Sequence, residues 1–363
     1  MSSRNPALHG SSWNRSLFLA TGALCLISLI SLFSASSIFH PALVSHQALW
    51  IGLGFLVSLL VASVPYTKWL DSSTFLYILA VMLLLVVEVA GTVKLGAARW
   101  ITLFGVSVQP SELAKLAAAF ALARYLSTQP SPLSSRTLML TALLAGVPAL
   151  LVFAQPDLGS SSVIVAIWFG AVWIAGLSTR SLLAMLGAGV AFLPIGWHFL
   201  KDYQRTRLLV FINPHADPLG AGYTIIQSQI AIGSGQLFGR GWLSGTQNYL
   251  NFLPERHTDF LFSVIGEEWG FLGSLVVVAL FVWLLVVGIR IALSNSDSQG
   301  RLLAMGLVSW LAYQAVINLG MVSGLLPTVG VPLPLVSYGG SAVMVTWIAV
   351  GLLQSIERHG TRF

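Results

Sequence analysis

Residues 260–288 read FLFSVIGEEWGFLGSLVVVALFVWLLVVG. After Glu268 no charged side chain occurs before Arg290, and at about 20 residues per span such a stretch crosses a bilayer as a helix. The carboxylates near its start, Glu267 and Glu268, then lie inside the bilayer. Working outward, similar apolar runs occupy 16–36, 47–65, 72–89, 112–126, 137–154, 160–177, 181–200, 302–320 and 341–356. The first follows Arg4 and Arg15 and lacks a small-x-small cleavage site, so it reads as a retained signal anchor. The predicted fold is an all-α integral membrane protein of about ten transmembrane helices. It forms a single polytopic membrane domain over 1–363, with 201–259 as a large extracytoplasmic loop between spans seven and eight.

Composition requires the same class. Only 8% of the 363 residues are charged, 56% are hydrophobic and the mean hydropathy is +0.84. A soluble domain carries roughly 25% charge, so a water-exposed surface cannot be built here and lipid is the solvent. The formal charge of +6 comes from isolated Lys and Arg rather than a basic run, which excludes nucleic acid as a partner. The single Cys25 excludes an intrachain disulfide, a thiolate zinc cluster and an iron–sulfur centre. His257 has no second histidine at zinc-binding spacing, and no strained nucleophile turn supports a Ser/His/Asp triad. The tryptophans, among them Trp13, Trp69 and Trp100, fall at span ends as interfacial belts.

Orientation follows from Lys and Arg. A cytoplasmic N-terminus places Arg4, Arg15, Lys68, Arg124, Arg136, Arg180, Arg290, Arg301, Arg358 and Arg362 inside, and both termini become cytoplasmic. The outer turns 37–46, 155–159 and 321–340 hold no Lys or Arg, whereas 90–111 and 201–259 hold Lys94, Arg99, Lys201, Arg205, Arg207, Arg240 and Arg256. Long loops escape the charge rule, and an anionic ligand on the outer face is the functional alternative. The 201–259 loop has an amphipathic stretch around 222–232, glycines at 233–241, and Trp242, Tyr249 and Phe252, a composition suited to folding over the helices at the interface. Its glycines lack the Lys-Ser/Thr ending of a phosphate loop.

Ionisable residues at membrane depth are functional candidates by default. Glu112 and Lys115 share one helix face in QPSELAK (109–115), either as a structural ion pair or as a cavity wall. Asp157, in QPDLG (155–159), either caps the next helix or lines a cavity. Glu88 snorkels to the interface. Asp259 opens the eighth span, as an N-cap or as a general base at the water boundary.

FLPERHTDF (252–260) with Gly266-Glu267-Glu268, and PTVGVPLPLVSYGGS (327–341), resemble the signatures of the SEDS family (shape, elongation, division and sporulation). QPSELAK, QPDLG and Arg99-Trp100-Ile101 match as well, so the likeness runs from about Arg15 to Glu357. Ala98 departs from the polar residue many members carry there. Arg256 is similar to the elongation branch, since the division branch usually carries a smaller residue. The resemblance implies a peptidoglycan glycosyltransferase polymerising lipid II into β-1,4-linked glycan strands for cell elongation and rod shape. It would act on the outer face of the bacterial plasma membrane, among membrane lipids, with a class B penicillin-binding protein, a transpeptidase, as partner, and yield undecaprenyl-pyrophosphate-linked glycan. It makes Asp259 the catalytic base. Glu112, Lys115, Asp157, Arg99, Arg205, Arg207, Arg240, Arg256, His257 and Ser337 are the substrate and cavity candidates. No cofactor is firmly implied and no metal ligands are assigned; Arg and Lys, or a divalent cation such as Mg²⁺ or Mn²⁺, would stabilise the leaving pyrophosphate. The alternatives are a lipid II flippase, against which the lack of an inverted repeat speaks, a division-branch polymerase, and a scaffold in which Asp259 is dispensable.

Overall fold

The computed structural model describes residues 13–36, 40–94, 97–103, 106–220, 222–250 and 252–361. Arg4 and Arg362, assigned above to the cytoplasmic side, lie outside the described residues. In chain order come α1 (Arg15–Ser36), α2 (Ala42–Ser63), α3 (Tyr66–Asp71), α4 (Ser73–Ala90), strands β1 (Thr92–Lys94), β2 (Ala97–Leu103) and β3 (Val106–Val108), then α5 (Pro110–Leu126). They are followed by α6 (Ser135–Ala154), α7 (Leu158–Ile174), α8 (Thr179–Phe199), α9 (Asp202–Ile212), α10 (Tyr223–Ser234), α11 (Thr246–Tyr249), α12 (Leu261–Ser294), α13 (Ser298–Val322) and α14 (Gly340–His359).

Each apolar run found in the sequence lies largely on one of these long helices. Among the described residues, six helices, α1, α2, α6, α12, α13 and α14, are long and apolar enough to cross a membrane. The protein is therefore a nearly all-helical membrane protein. Their lipid-side residues, such as Leu19, Leu60 and Val282, remain exposed on the protein, as apolar solvent permits.

One correction to the all-α expectation concerns 90–111. It forms an antiparallel ribbon in the order β1-β2-β3, with Thr92 opposite Trp100 and Ile101 opposite Val108. The β-branched and aromatic side chains of Trp100, Ile101 and Val108 are half-buried and suit a pleated surface.

The 201–259 segment does fold over the helices. Ser228 on α10 pairs with Ser263 at 2.8 Å and donates to the carbonyl of Val322 at 2.6 Å. Helix α12 breaks at Gly270 (φ 66°, ψ −159°). In a continuous helix Glu267 O and Glu268 O would accept from Phe271 N and Leu272 N. Here Glu267 O accepts from Arg240 N and Glu268 O from Gly241 N, each at 3.0 Å, while Phe271 N and Leu272 N donate to Gln236 O and Leu237 O. The glycine-rich stretch thus re-satisfies backbone groups released by the kink, the condition for tolerating a break in a low-dielectric setting. The structure gives these glycines a backbone role at the kink.

Candidate active site

A cavity of about 1110 Å³ opens where β2, α9, the turn before α12 and the loop before α14 converge. Asp259 lines it together with Glu255, Arg99, Arg207, Asp157 and Glu112. Residues 254–260 wind into a tight turn in which Glu255 takes φ 50° and its carbonyl accepts from Thr258 N and Phe260 N. Asp259 is half-buried there. The N-cap position of α12 is Phe260, with no side-chain cap bond, so the carboxylate of Asp259 is not spent on the helix end. Burial, and behind it the neighbouring Glu255 carboxylate, push Asp259 up to about 6; Arg207 opposes the rise, Asp157 adds to it and Arg99 opposes it.

Gly330 faces this carboxylate from the loop before α14. Its φ of +70° is accessible to glycine at little cost, and a Cβ there would lie 3.5 Å from Asp259 Oδ2 and 3.9 Å from Arg207 Nη1. The missing side chain leaves open space where the acid and the cation meet. Arg207 also donates to Thr328 O at 3.4 Å. Arg99 is held by the QPD turn, its Nε donating to Gln155 O at 2.9 Å and its other nitrogen to Pro156 O. Asp157 is both things the sequence allowed. Its Oδ1 accepts from Ser160 N at 2.9 Å as the cap of α7, while Oδ2 accepts from Gln109 Nε2 at 3.2 Å beside the cavity.

Glu112 and Lys115 form an ion pair of 2.6 Å, 3% and 1% exposed. Glu112 reaches the cavity wall; Lys115 sits behind it, 4.8 Å over the ring of Trp310. His257 is half-buried in the wall, its ring 6.2 Å from Tyr338 and 6.4 Å from His40, and burial lowers its pKa against the opposing effect of Glu255.

Besides Lys115, four of the candidates are not part of this wall. Arg205 turns back along its own chain to Trp197 O and His198 O, with Asp202 at 3.8 Å. Arg240 is exposed near the kink, bonding Ser234 O and Thr246 Oγ1. Arg256, one side of the turn from Asp259, points into the protein and bonds Ala35 O at 2.8 Å and Asn248 O at 3.0 Å. Ser337 accepts from Leu333 N at 2.9 Å and shapes its own loop. In each case a backbone carbonyl or amide close in space claims the side chain, which residue type alone does not reveal.

Glu267 and Glu268 are buried away from the cavity. Glu267 Oε1 accepts from Thr246 Oγ1 and Gln247 N, Glu268 accepts from Ser34 Oγ, and Asn248 Nδ2 donates to Ser34 O. Glu88 is exposed, as snorkelling requires. The sequence reading missed Glu255, Gln109, His46, Trp50 and Tyr338 as wall residues. Glu255, Gln109 and Tyr338 stood inside the quoted motifs, while His46 and Trp50 lie in α2 with no local signal. Among the described residues no group of three His, Cys, Asp or Glu could hold a metal ion.

The family described as FTSW_RODA_SPOVE, cell cycle protein, matches residues 14–362. The chain belongs to this family. It is 43% identical over 338 residues to peptidoglycan glycosyltransferase MrdB of Escherichia coli K12, covering 93% of this chain and 91% of that protein. It is 35% identical over 354 residues to stage V sporulation protein E of Bacillus subtilis 168, covering 94% and 96%. Among solved structures, a chain of a peptidoglycan synthase complex that coordinates polymerization and crosslinking superposes with a TM-score of 0.84 at 33% identity, covering 96% of this chain and 98% of that one. The rod shape determining protein RodA of Thermus thermophilus gives 0.74 at 30% identity, covering 97% and 99%.

Proposed function

We propose that this protein is a peptidoglycan glycosyltransferase of the cell-shape branch, polymerising lipid II with Asp259 as its base. The observation that carries the mechanism is the half-buried Asp259 carboxylate, uncommitted to helix capping, beside a large cavity that also holds Arg99 and Arg207. Identity to a named glycosyltransferase and likeness to the rod-shape protein support the activity.

The acceptor's N-acetylglucosamine 4-hydroxyl attacks the α-linked anomeric carbon of the donor. The new C1–O4 bond forms as the C1–O bond to pyrophosphate breaks, giving a β-1,4 link with inversion. The hydroxyl proton passes to Asp259, and undecaprenyl pyrophosphate leaves with the bonding electrons. A base near pH 6 is well matched to this task at neutral pH. Arg99 and Arg207 offset the charge developing on the leaving group. Among the described residues no group of three His, Cys, Asp or Glu could hold a metal ion, so no step is assigned to one.

Ten spans, cytoplasmic termini and an outward 201–259 segment complete the reading, supported by the Lys and Arg distribution. A class B penicillin-binding protein supplies crosslinking, supported by the likeness to a synthase complex. The test is polymer formation from labelled lipid II by the purified protein with and without such a partner. Polymer from the wild type and none from Asp259→Asn is expected; turnover by a folded Asp259→Asn overturns the base. A cysteine at position 217, in a background lacking Cys25, is expected to label only from outside the cell.

A further inference from the structure

Asp259 sits in a turn, and a turn alone does not hold a base to the tolerance that catalysis requires. Its backbone is fixed from another element. Asn318, fully buried on α13, donates both hydrogens of its amide: Nδ2 lies 2.9 Å from Asp259 O and 2.8 Å from Val331 O. One side chain thus ties the turn carrying the carboxylate to the loop carrying Gly330, the two walls between which the open space lies.

Asn318 continues a stripe. Trp310, Gln314 and Asn318 are spaced four apart, so they occupy one face of α13. Trp310 Nε1 donates to Gln314 Oε1, and Gln314 Nε2 donates to Pro332 O at 3.0 Å. At the near end the ring of Trp310 lies under Lys115, the partner of Glu112. All three side chains are buried, and polar groups at such depth are costly unless paired, so their retention calls for a use.

We infer that Asn318 is a positioning residue for the glycosyl transfer: α13 holds Asp259 and the 327–341 loop in one register through its amide. The inference rests on Asp259 being the base. It differs from a packing role because one contact is to the backbone carbonyl of Asp259 and the other to that of Val331, between the wall residues Gly330 and Pro332, and because an amide NH₂ satisfies two acceptors where an apolar side chain satisfies neither.

Asn318→Leu keeps the branching and the number of side-chain heavy atoms and removes both bonds. The expected result is a fall in kcat of about 10- to 100-fold at unchanged KM for lipid II, because a displacement near 1 Å suffices for such a loss. The acid limb of the pH–rate profile moves as well, since the distances of Asp259 from Glu255, Asp157, Arg207 and Arg99 set it. A residue that only packs α13 would reduce the amount of folded enzyme and leave kcat and the acid limb of the surviving fraction alone. Should Asn318→Leu not fold, Asn318→Asp serves: ionised it cannot donate and repels both carbonyls, protonated it regains one donor. Its kcat relative to wild type is expected to recover as the pH falls. Wild-type kcat and a wild-type profile in either folded variant overturn the inference. Turnover by Asp259→Asn would overturn the base itself, so the two failures are distinguishable.

Discussion

Two acidic clusters flank the start of α12, and they behave oppositely. Asp259, with Glu255 nearby, faces a cavity of about 1110 Å³, and cations reach it across open space. Glu267 and Glu268, eight and nine residues on, are 0% and 2% exposed and engaged by Ser34, Thr246 and the backbone of Gln247. The arginines divide the same way: Arg207 faces the cavity, while Arg256 is tied to the carbonyls of Ala35 and Asn248. Charged residues adjacent in sequence therefore serve two ends. One set faces the cavity, and the other joins the segment between α10 and α12 to α1.

The largest effect that tests this division is the contrast between Asp259→Asn and Glu268→Gln. Loss of a positioned base costs about 10²–10⁴ in rate, whereas Gln at 268 still accepts from Ser34 and polymerisation continues. Stability moves in the opposite direction at 259. The folded-state pKa is raised from 3.8 to about 6, so the charged carboxylate disfavours the fold increasingly as pH rises through that interval. Asp259→Asn should melt above wild type at pH 7.5, with the gap closing as pH falls through 6 toward 3.8. A lower melting temperature at neutral pH would contradict the uncommitted state of Asp259.

Next in size is Arg207→Gln, expected to lower kcat/KM by about tenfold or more through lost stabilisation of the leaving group. The same cation opposes the rise in Asp259, so its removal should shift the acid limb of the rate profile above the wild-type midpoint near 6. An unmoved limb would separate the two residues. The smallest catalytic effect belongs to Arg256→Ala. It removes a charged donor from the carbonyls of Ala35 and Asn248, at a cost of about 1.5–3 kcal/mol, and should be read as a lower melting temperature and yield, with turnover per folded molecule largely retained. A selective loss of kcat with normal stability would move Arg256 into the catalytic group.

Several parts of this arrangement are legible in the residues. The helices lie on the apolar runs, because burial in lipid is decided by a local average over about 20 residues. Asp157 at a cap and the Glu112–Lys115 pair are legible too, since caps and i,i+3 neighbours are set by a single helix. The ribbon at 92–108 is not, because three short strands gain stability from each other and from contacts with α4, α5 and α14. The cations that lie off the cavity wall, Arg205, Arg240 and Arg256, share one cause: charge type is visible in a string of residues, and direction is not.

The sequence by itself determined the solvent of this protein, the positions of its long helices and the motif that carries Asp259, all properties of contiguous stretches. Tertiary structure alone decided which side chains meet. Gly330 stands opposite Asp259 although 71 positions away in numbering, Arg207 reaches Thr328 over a separation of 121, and Asn318 on a separate helix is tied to Asp259 over a separation of 59. Such encounters depend on how elements pack, and packing is fixed by the fit of whole helix faces, so no local window of residues contains it.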